Sequence, residues 1–223
     1  MWDLEDEGIN IHYQTIQKVI KVEGLTRKYR TRKIHYNYVR ISLKKGELME
    51  IDVKFVPDRI DGKRYYQFTA IDCATRWRYL QAYENADNAS AIMFLKELVS
   101  VVDFKIKAIK TDNGSCFTNR YTGYNKSIDP FKPRLHAFDL LCQQLDMPHY
   151  LIDPGKPQQN SFVERSHKTD QEKFYDELIF TSFEDLRYKL RLWNMNYNDT
   201  KHCGLNGKTP NQALGSGVQN VCI

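Results

Sequence analysis

The sequence predicts an α/β fold. Its mixed five-stranded sheet has three antiparallel strands followed by βαβ crossovers, flanked by helices, with a short helical N-terminal appendage. Three observations predict it. The alternating run 48–56 leads into an Asp61-Gly62 hairpin signal and two further strand-like runs. Two short apolar runs, 106–111 and 149–152, then alternate with helical periodicity. The final third is helical at 3.6-residue spacing.

Residues 1–9 read as the end of a helix closed by Gly8, and 9–13 as a turn. Residues 14–23 place Ile16, Val19 and Ile20 at helical spacing and stop at Gly24. Two helices, a Gly-containing turn and a basic tail outline a helix-turn-helix-like appendage. In the first strand, 46–57, Met49, Ile51, Val53 and Phe55 share one face, and Glu50, Asp52 and Lys54 the other. The second strand spans 65–72. Cys73-Ala74-Thr75-Arg76 turns the chain into a third, 77–83. A helix begins at Asn88 and carries Ala91, Ile92, Phe94, Leu95, Leu98, Val99 and Val102 at helical spacing. Strand 106–111, helix 138–145 and strand 149–152 complete the sheet, in the order βββαβαβ. Helices follow over 161–178 and 182–197. Ser182 is a candidate N-cap, and Asp185 holds the capping-box position. Thr209-Pro210 opens one last turn after a polar loop.

The chain's 223 residues suit one substantial domain plus a small appendage, and 41% hydrophobic content suffices for a core. No apolar run approaches the roughly 18 residues that a membrane span needs, and the acidic opening Met1-Trp2-Asp3 is unlike a signal peptide. Five scattered cysteines, never as C-x-x-C, point away from a disulfide framework and toward a reducing compartment. The net charge of +5 lies wholly in residues 1–45, which hold ten Lys/Arg and five Asp/Glu. Residues 27–45 carry eight basic side chains and no acidic one, interleaved with Tyr29, His35, Tyr36 and Tyr38. A solvated linker is the plain reading. The aromatic interleaving favours nucleic-acid contact, with Arg27, Lys28, Arg30, Arg32 and Lys33 as phosphate contacts.

Three carboxylates carry the chemistry. Asp52 lies mid-strand on the polar face, Asp112 ends a strand before Asn113-Gly114, and Glu164 sits in the opening turns of a helix. Each alone reads blandly, as a strand surface residue, a turn former or a helix-dipole partner. In this order and on these elements they match what two-metal phosphoryl transfer requires, because hard divalent cations take carboxylate oxygens. Asp72, at a strand end, reads as a turn or cap residue.

The set Met49-Glu50-Ile51-Asp52, Ile71-Asp72-Cys73-Ala74-Thr75-Arg76, Thr111-Asp112-Asn113-Gly114 and Pro154-Gly155-Lys156-Pro157-Gln158-Gln159-Asn160-Ser161-Phe162-Val163-Glu164-Arg165 resembles the integrase catalytic core of retroviral integrases and insertion-sequence transposases. The resemblance runs from about residue 46 to 214 and includes Tyr197-Asn198, His202, Gly204-Leu205 and Thr209-Pro210. It implies a ribonuclease H-like fold and an Asp52, Asp112, Glu164 triad that is both catalytic and metal-binding. Two Mg²⁺ (or Mn²⁺) ions per site are implied, as is DNA cleavage followed by strand transfer into target DNA. It further implies a homo-oligomer acting on transposon ends and target DNA, in a bacterial-type cytoplasm near the nucleoid and without membrane contact. Residues 1–26 then correspond to a partial helix-turn-helix remnant, 27–45 to a basic linker, 46–215 to the core and 216–223 to a tail. Lys156, Gln158, Gln159, Asn160, Arg165 and Lys168 are the expected DNA contacts near the site. A catalytically inactive DNA-binding derivative and a nuclease without strand transfer are the alternatives. The chain departs from the pattern in three places. It has 51 residues between Asp112 and Glu164, more than the family's usual spacing; the excess fits an insertion over 118–136. Cys116 stands where an acidic residue is common, and the run 198–202 replaces a usual Arg-Pro-His.

Overall fold

Alternation in the first strand run dictates a sheet with two distinct faces, and the computed structural model, which describes residues 6–25, 42–120 and 135–215, contains that sheet. The chain divides into two compact units, 1–41 and 42–223. In the first, α1 (Tyr13–Val22) has no buried residue, and its N-cap His12 accepts the Gln14 N–H. The basic positions Arg27, Lys28, Arg30, Arg32 and Lys33 lie outside the described residues, as do most of the insertion and the tail 216–223.

The second unit holds β1 (Met49–Phe55), β2 (Tyr66–Asp72) and β3 (Arg78–Tyr83) as an antiparallel meander. The β1–β2 connection carries an inner two-residue hairpin turn. Asp61 and Gly62 both take positive φ (51° and 75°), and Ile60 and Lys63 exchange two 3.0 Å backbone hydrogen bonds. That is the mirror-image turn an Asp-Gly pair favours. α2 (Asn88–Val101) follows, N-capped by Asp87, whose side chain accepts the Ser90 N–H at 2.8 Å. β4 (Ile109–Thr111), α3 (Ala137–Gln144) and β5 (His149–Leu151) complete a sheet of order β3-β2-β1-β4-β5, with β1, β4 and β5 parallel. This is the ribonuclease H-like arrangement expected from the sequence. β4 is shorter than expected, because the chain before it bonds sideways: Lys107 N–H donates to Gly46 O at 2.7 Å. Gly46 has φ +73°, and a Cβ there would strike the Lys105 carbonyl and the Phe104 ring, so only glycine fits this crossing.

One face of the sheet (Met49, Ile51, Phe68, Ala70) packs on α2 and α3 through Phe94, Leu95, Leu98, Phe138 and Leu141. The opposite face receives the C-terminal helices. α4 (Ser161–Asp170) follows a 3-10 turn (Pro157–Asn160), and α5 (Phe183–Asp199) packs on β3. Ser182 Oγ accepts the Asp185 N–H at 3.1 Å. The shorter Asp carboxylate does not return the bond; it takes Thr181 N–H and Lys189 instead. At α6 (Pro210–Leu214) the box closes both ways between Thr209 and Gln212. The helix expected over 161–178 is not one helix. The α-form ends at Asp170, and Gln171–Tyr175 is a π-turn. Phe174 and Tyr175 are adjacent and both buried beside Leu186 and Leu190. An α-helix points neighbours about 100° apart. The wider turn lets both rings enter the core. Among the described residues, no helix is long and apolar enough to cross a membrane.

Candidate active site

The register of two parallel strands sets the centre of the site. Glu50 pairs with Lys110 and Ile51 with Thr111, so Asp52 and Asp112 are the next residues on neighbouring strands. Strands lie about 4.8 Å apart, which makes these two carboxylates neighbours although 60 positions separate them. Asp52 Oδ1 accepts the Val53 N–H at 2.8 Å, and Asp112 Oδ1 accepts the Gly114 N–H at 3.0 Å, the local turn that Asp-Asn-Gly favours. Asn113 donates to Ile152 O at 3.0 Å and ties the ends of β4 and β5 together. Beneath them His149 bridges Asp139 (2.6 Å) and Thr111 Oγ1 (2.9 Å), bracing the strand that presents Asp112.

Glu164 comes from α4, laid across β1 and β2. It is exposed in the helix's first turn. All three carboxyls are held above their usual range. Asp52 is pushed up to about 7, by burial first, then by the charge of Asp112 and more weakly by those of Glu164 and Glu50, against the Val53 N–H. Burial raises Asp112, and burial with the Glu50 charge raises Glu164. His167, one turn on, lies with Nδ1 3.5 Å from Asp52 Oδ2 and Nε2 3.0 Å from Thr69 Oγ1. Burial lowers it to about 4, so at neutral pH it is an uncharged neighbour and not an ion-pair partner.

Among the described residues, no three His, Cys, Asp or Glu side chains are gathered tightly enough to hold a metal ion. The donor chemistry nevertheless fits a hard divalent cation. Two half-buried carboxylates stand side by side, a third acts electrostatically on one of them, and burial together with this excess of negative charge raises Asp52.

That excess has a consequence for stability. A carboxyl raised in the folded state stabilises the protein fully below its unfolded value, near 4, and loses that contribution as pH rises through about 7. In EDTA, Asp52→Asn is therefore expected to stabilise the protein at pH 8, by on the order of 1–3 kcal/mol, and to change little at pH 4. Urea unfolding at both pH values checks this; equal effects at the two would refute it.

The expected DNA contacts divide. Arg165 and Lys168 are exposed on α4, and Gln158 is exposed in the preceding loop. Lys156 and Gln159 are exposed but both grip Asp153, at 2.8 and 3.0 Å. Asn160 is turned inward, 1% exposed, and reaches the Ile51 carbonyl, so it braces the loop on β1. Asp72 proves to be a turn residue, as read. It is wholly buried and accepts Gly46 N–H, Thr75 N–H and Thr75 Oγ1.

Two features escaped sequence reasoning. Glu50, on the polar face of β1, is buried against α4. Arg78 and Asp170, both inaccessible, pair at 2.6 Å between β3 and the end of α4. The only signal for the pair was a charged residue inside an apolar run, which equally describes a solvent-facing strand position.

Family models described as integrase core domain match residues 43–157 and 145–210. The chain is 30% identical over 198 residues to a putative integrase, ORF3, of Spiroplasma virus SpV1-C74, covering 85% of this chain and 53% of that protein. It is 26% identical over 157 residues to an uncharacterized protein of insertion element IS476 from Xanthomonas euvesicatoria, covering 70% and 41%. The chain thus spans about half the length of these relatives. Two solved structures, each 17% identical, share the fold. A chain of the simian T-cell lymphotropic virus intasome, solved with a PP2A regulatory subunit, has a TM-score of 0.57, covering 87% of this chain and 63% of that one. The catalytic core domain of BIV integrase has a TM-score of 0.52, covering 75% and 92%.

Proposed function

Because this chain belongs to the integrase core domain family, we propose that it is a transposase or integrase: a polynucleotidyl transferase that cleaves DNA at the ends of a mobile element and joins them to target DNA. The observation that carries this reading is the juxtaposition of Asp52 and Asp112 on parallel strands, with Glu164 brought from α4 into electrostatic range of Asp52. These three residues would hold two Mg²⁺ or Mn²⁺ ions, which when bound supply Lewis-acid activation of the attacking oxygen and stabilisation of the leaving one.

The chain's own residues then have separable tasks. Asp52 supplies a negative oxygen from β1 and Asp112 another from the turn that ends β4. Glu164 supplies the third from a helix whose seating determines its reach. His167, uncharged, packs against Asp52 without adding positive charge to a site meant for cations. Arg165, Lys168 and Gln158 present donors to the DNA backbone beside the site, and Lys156 and Gln159 do so from the loop once released from Asp153. The basic stretch 27–45 adds phosphate neutralisation. Two element ends must be handled together, which calls for a homo-oligomer.

The test is a duplex oligonucleotide carrying the element's terminal sequence, incubated with Mg²⁺ or Mn²⁺ or with EDTA. We expect metal-dependent nicks leaving 3′-OH ends, and joined products when target DNA is added. Absence of metal-dependent nicking sinks the reading, and nicking without joined products reduces it to a nuclease.

A further inference from the structure

Helix α4 lacks a cap of its own. Its N-cap Asn160 makes no side-chain bond to the first turn. The amides of Phe162 and Val163 need an acceptor, and water has little access there, since Val163 is fully buried. Both donate to one atom, Oε2 of Glu50, at 2.8 and 3.0 Å. Glu50 is 112 residues away in sequence and only 1% exposed. Its other oxygen, Oε1, lies 3.0 Å from the ammonium of Lys110, its register partner on β4.

We infer that Glu50 is a positioning residue of the reaction, the clamp that fixes Glu164 relative to Asp52 and Asp112; the inference rests on the function proposed above. The geometry is specific. Glu50 stands two residues before Asp52, and Lys110 two residues before Asp112. One side chain thus ties together β1, β4 and α4, the three elements that bear the proposed triad. The alternative of a fourth cation ligand fails, because both oxygens are occupied by protein donors. A second contact acts on the same turn: the guanidinium of Arg76, a residue in the left-handed region (φ 62°), lies 3.4 Å over the Phe162 ring.

The test compares wild type with Glu50→Gln, Glu50→Ala and Glu50→Asp. Gln keeps an acceptor for the two amides at the same reach but turns an NH2 toward Lys110 in place of Oε1, Ala removes both contacts, and Asp keeps the charge but withdraws it by one methylene. Amide hydrogen exchange at residues 162 and 163, without metal or DNA, is expected to quicken at least about tenfold in E50A and E50D and to stay near wild type in E50Q. With end DNA saturating, single-turnover nicking should fall about 10–100-fold in E50A and E50D, with a higher divalent-ion requirement, and recover in large part in E50Q, which keeps the amide acceptor and loses the Lys110 bond. DNA affinity should stay within about twofold throughout. If E50A does not fold, E50D and E50Q still decide the matter. Unchanged exchange or nicking in E50D, or E50Q as impaired as E50D, overturns the inference. A wild type that does not nick overturns the functional reading instead, and exchange still reports the cap.

Discussion

Asp112→Asn is expected to reduce metal-dependent nicking and joining at least about 10³-fold, a loss of some 4 kcal/mol of transition-state stabilisation. The substitution suits the purpose because it removes little else. Asn keeps the size of Asp and an oxygen for the Gly114 N–H, so the turn at the end of β4 should persist. What disappears is a negative charge and a hard ligand beside Asp52. Losing that charge should also relax Asp52 toward its ordinary range, since Asp112 is the largest electrostatic contributor to its rise. DNA binding should hold or tighten slightly, because a carboxylate facing phosphate is repulsive. Single-turnover gel assays paired with fluorescence anisotropy on the same oligonucleotide check this. Retention of more than about a tenth of wild-type nicking would remove Asp112 from the machinery.

How far the sequence reaches can be judged from particular residues. The meander and the start of α5 were legible because alternation, Asp61-Gly62 and Ser182 are local signals whose physics needs no tertiary context. The pairing of Asp52 with Asp112 was legible only indirectly. Each lay on the right kind of element, but their adjacency depends on the Glu50–Lys110 register, which no short stretch encodes. Alternation marks Glu50 only as one of three residues on a polar strand face. Nothing local says that this face is covered by a helix needing an acceptor, because the helix lies more than a hundred residues downstream. The π-turn was missed for a similar reason. Phe174 and Tyr175 fit a helical stripe well enough, and only the core formed with Leu186 and Leu190 demands both rings at once.

The Arg78–Asp170 pair should dominate the stability of this half of the molecule. Burial works to raise Asp170, but the Arg78 guanidinium, helped by Trp193 and Gln67, holds it below the usual carboxylate range. Its contribution is therefore present at neutral pH and is lost only as pH falls through that lowered value. Asp170 Oδ1 accepts from Arg78 Nη1 (2.6 Å) and Trp193 Nε1 (2.7 Å), and Oδ2 from Gln67 Nε2 (2.8 Å). Asp170→Ala leaves an uncompensated buried cation and should cost about 3–5 kcal/mol. Replacing both partners, Arg78→Met with Asp170→Leu, removes the stranded charge but still orphans the Trp193 and Gln67 donors, at about 1–3 kcal/mol each. The double variant should thus recover only part of the loss. Urea denaturation followed by tryptophan fluorescence reads this directly, since Trp193 touches the carboxylate. A single variant within about 1 kcal/mol of wild type would mean that the pair is solvated after all. If the loss is as large as expected, the network has a second role. It anchors the C-terminal end of the helix that Glu50 holds at its start, so the element carrying Glu164 is fixed to the sheet at both ends by buried charge.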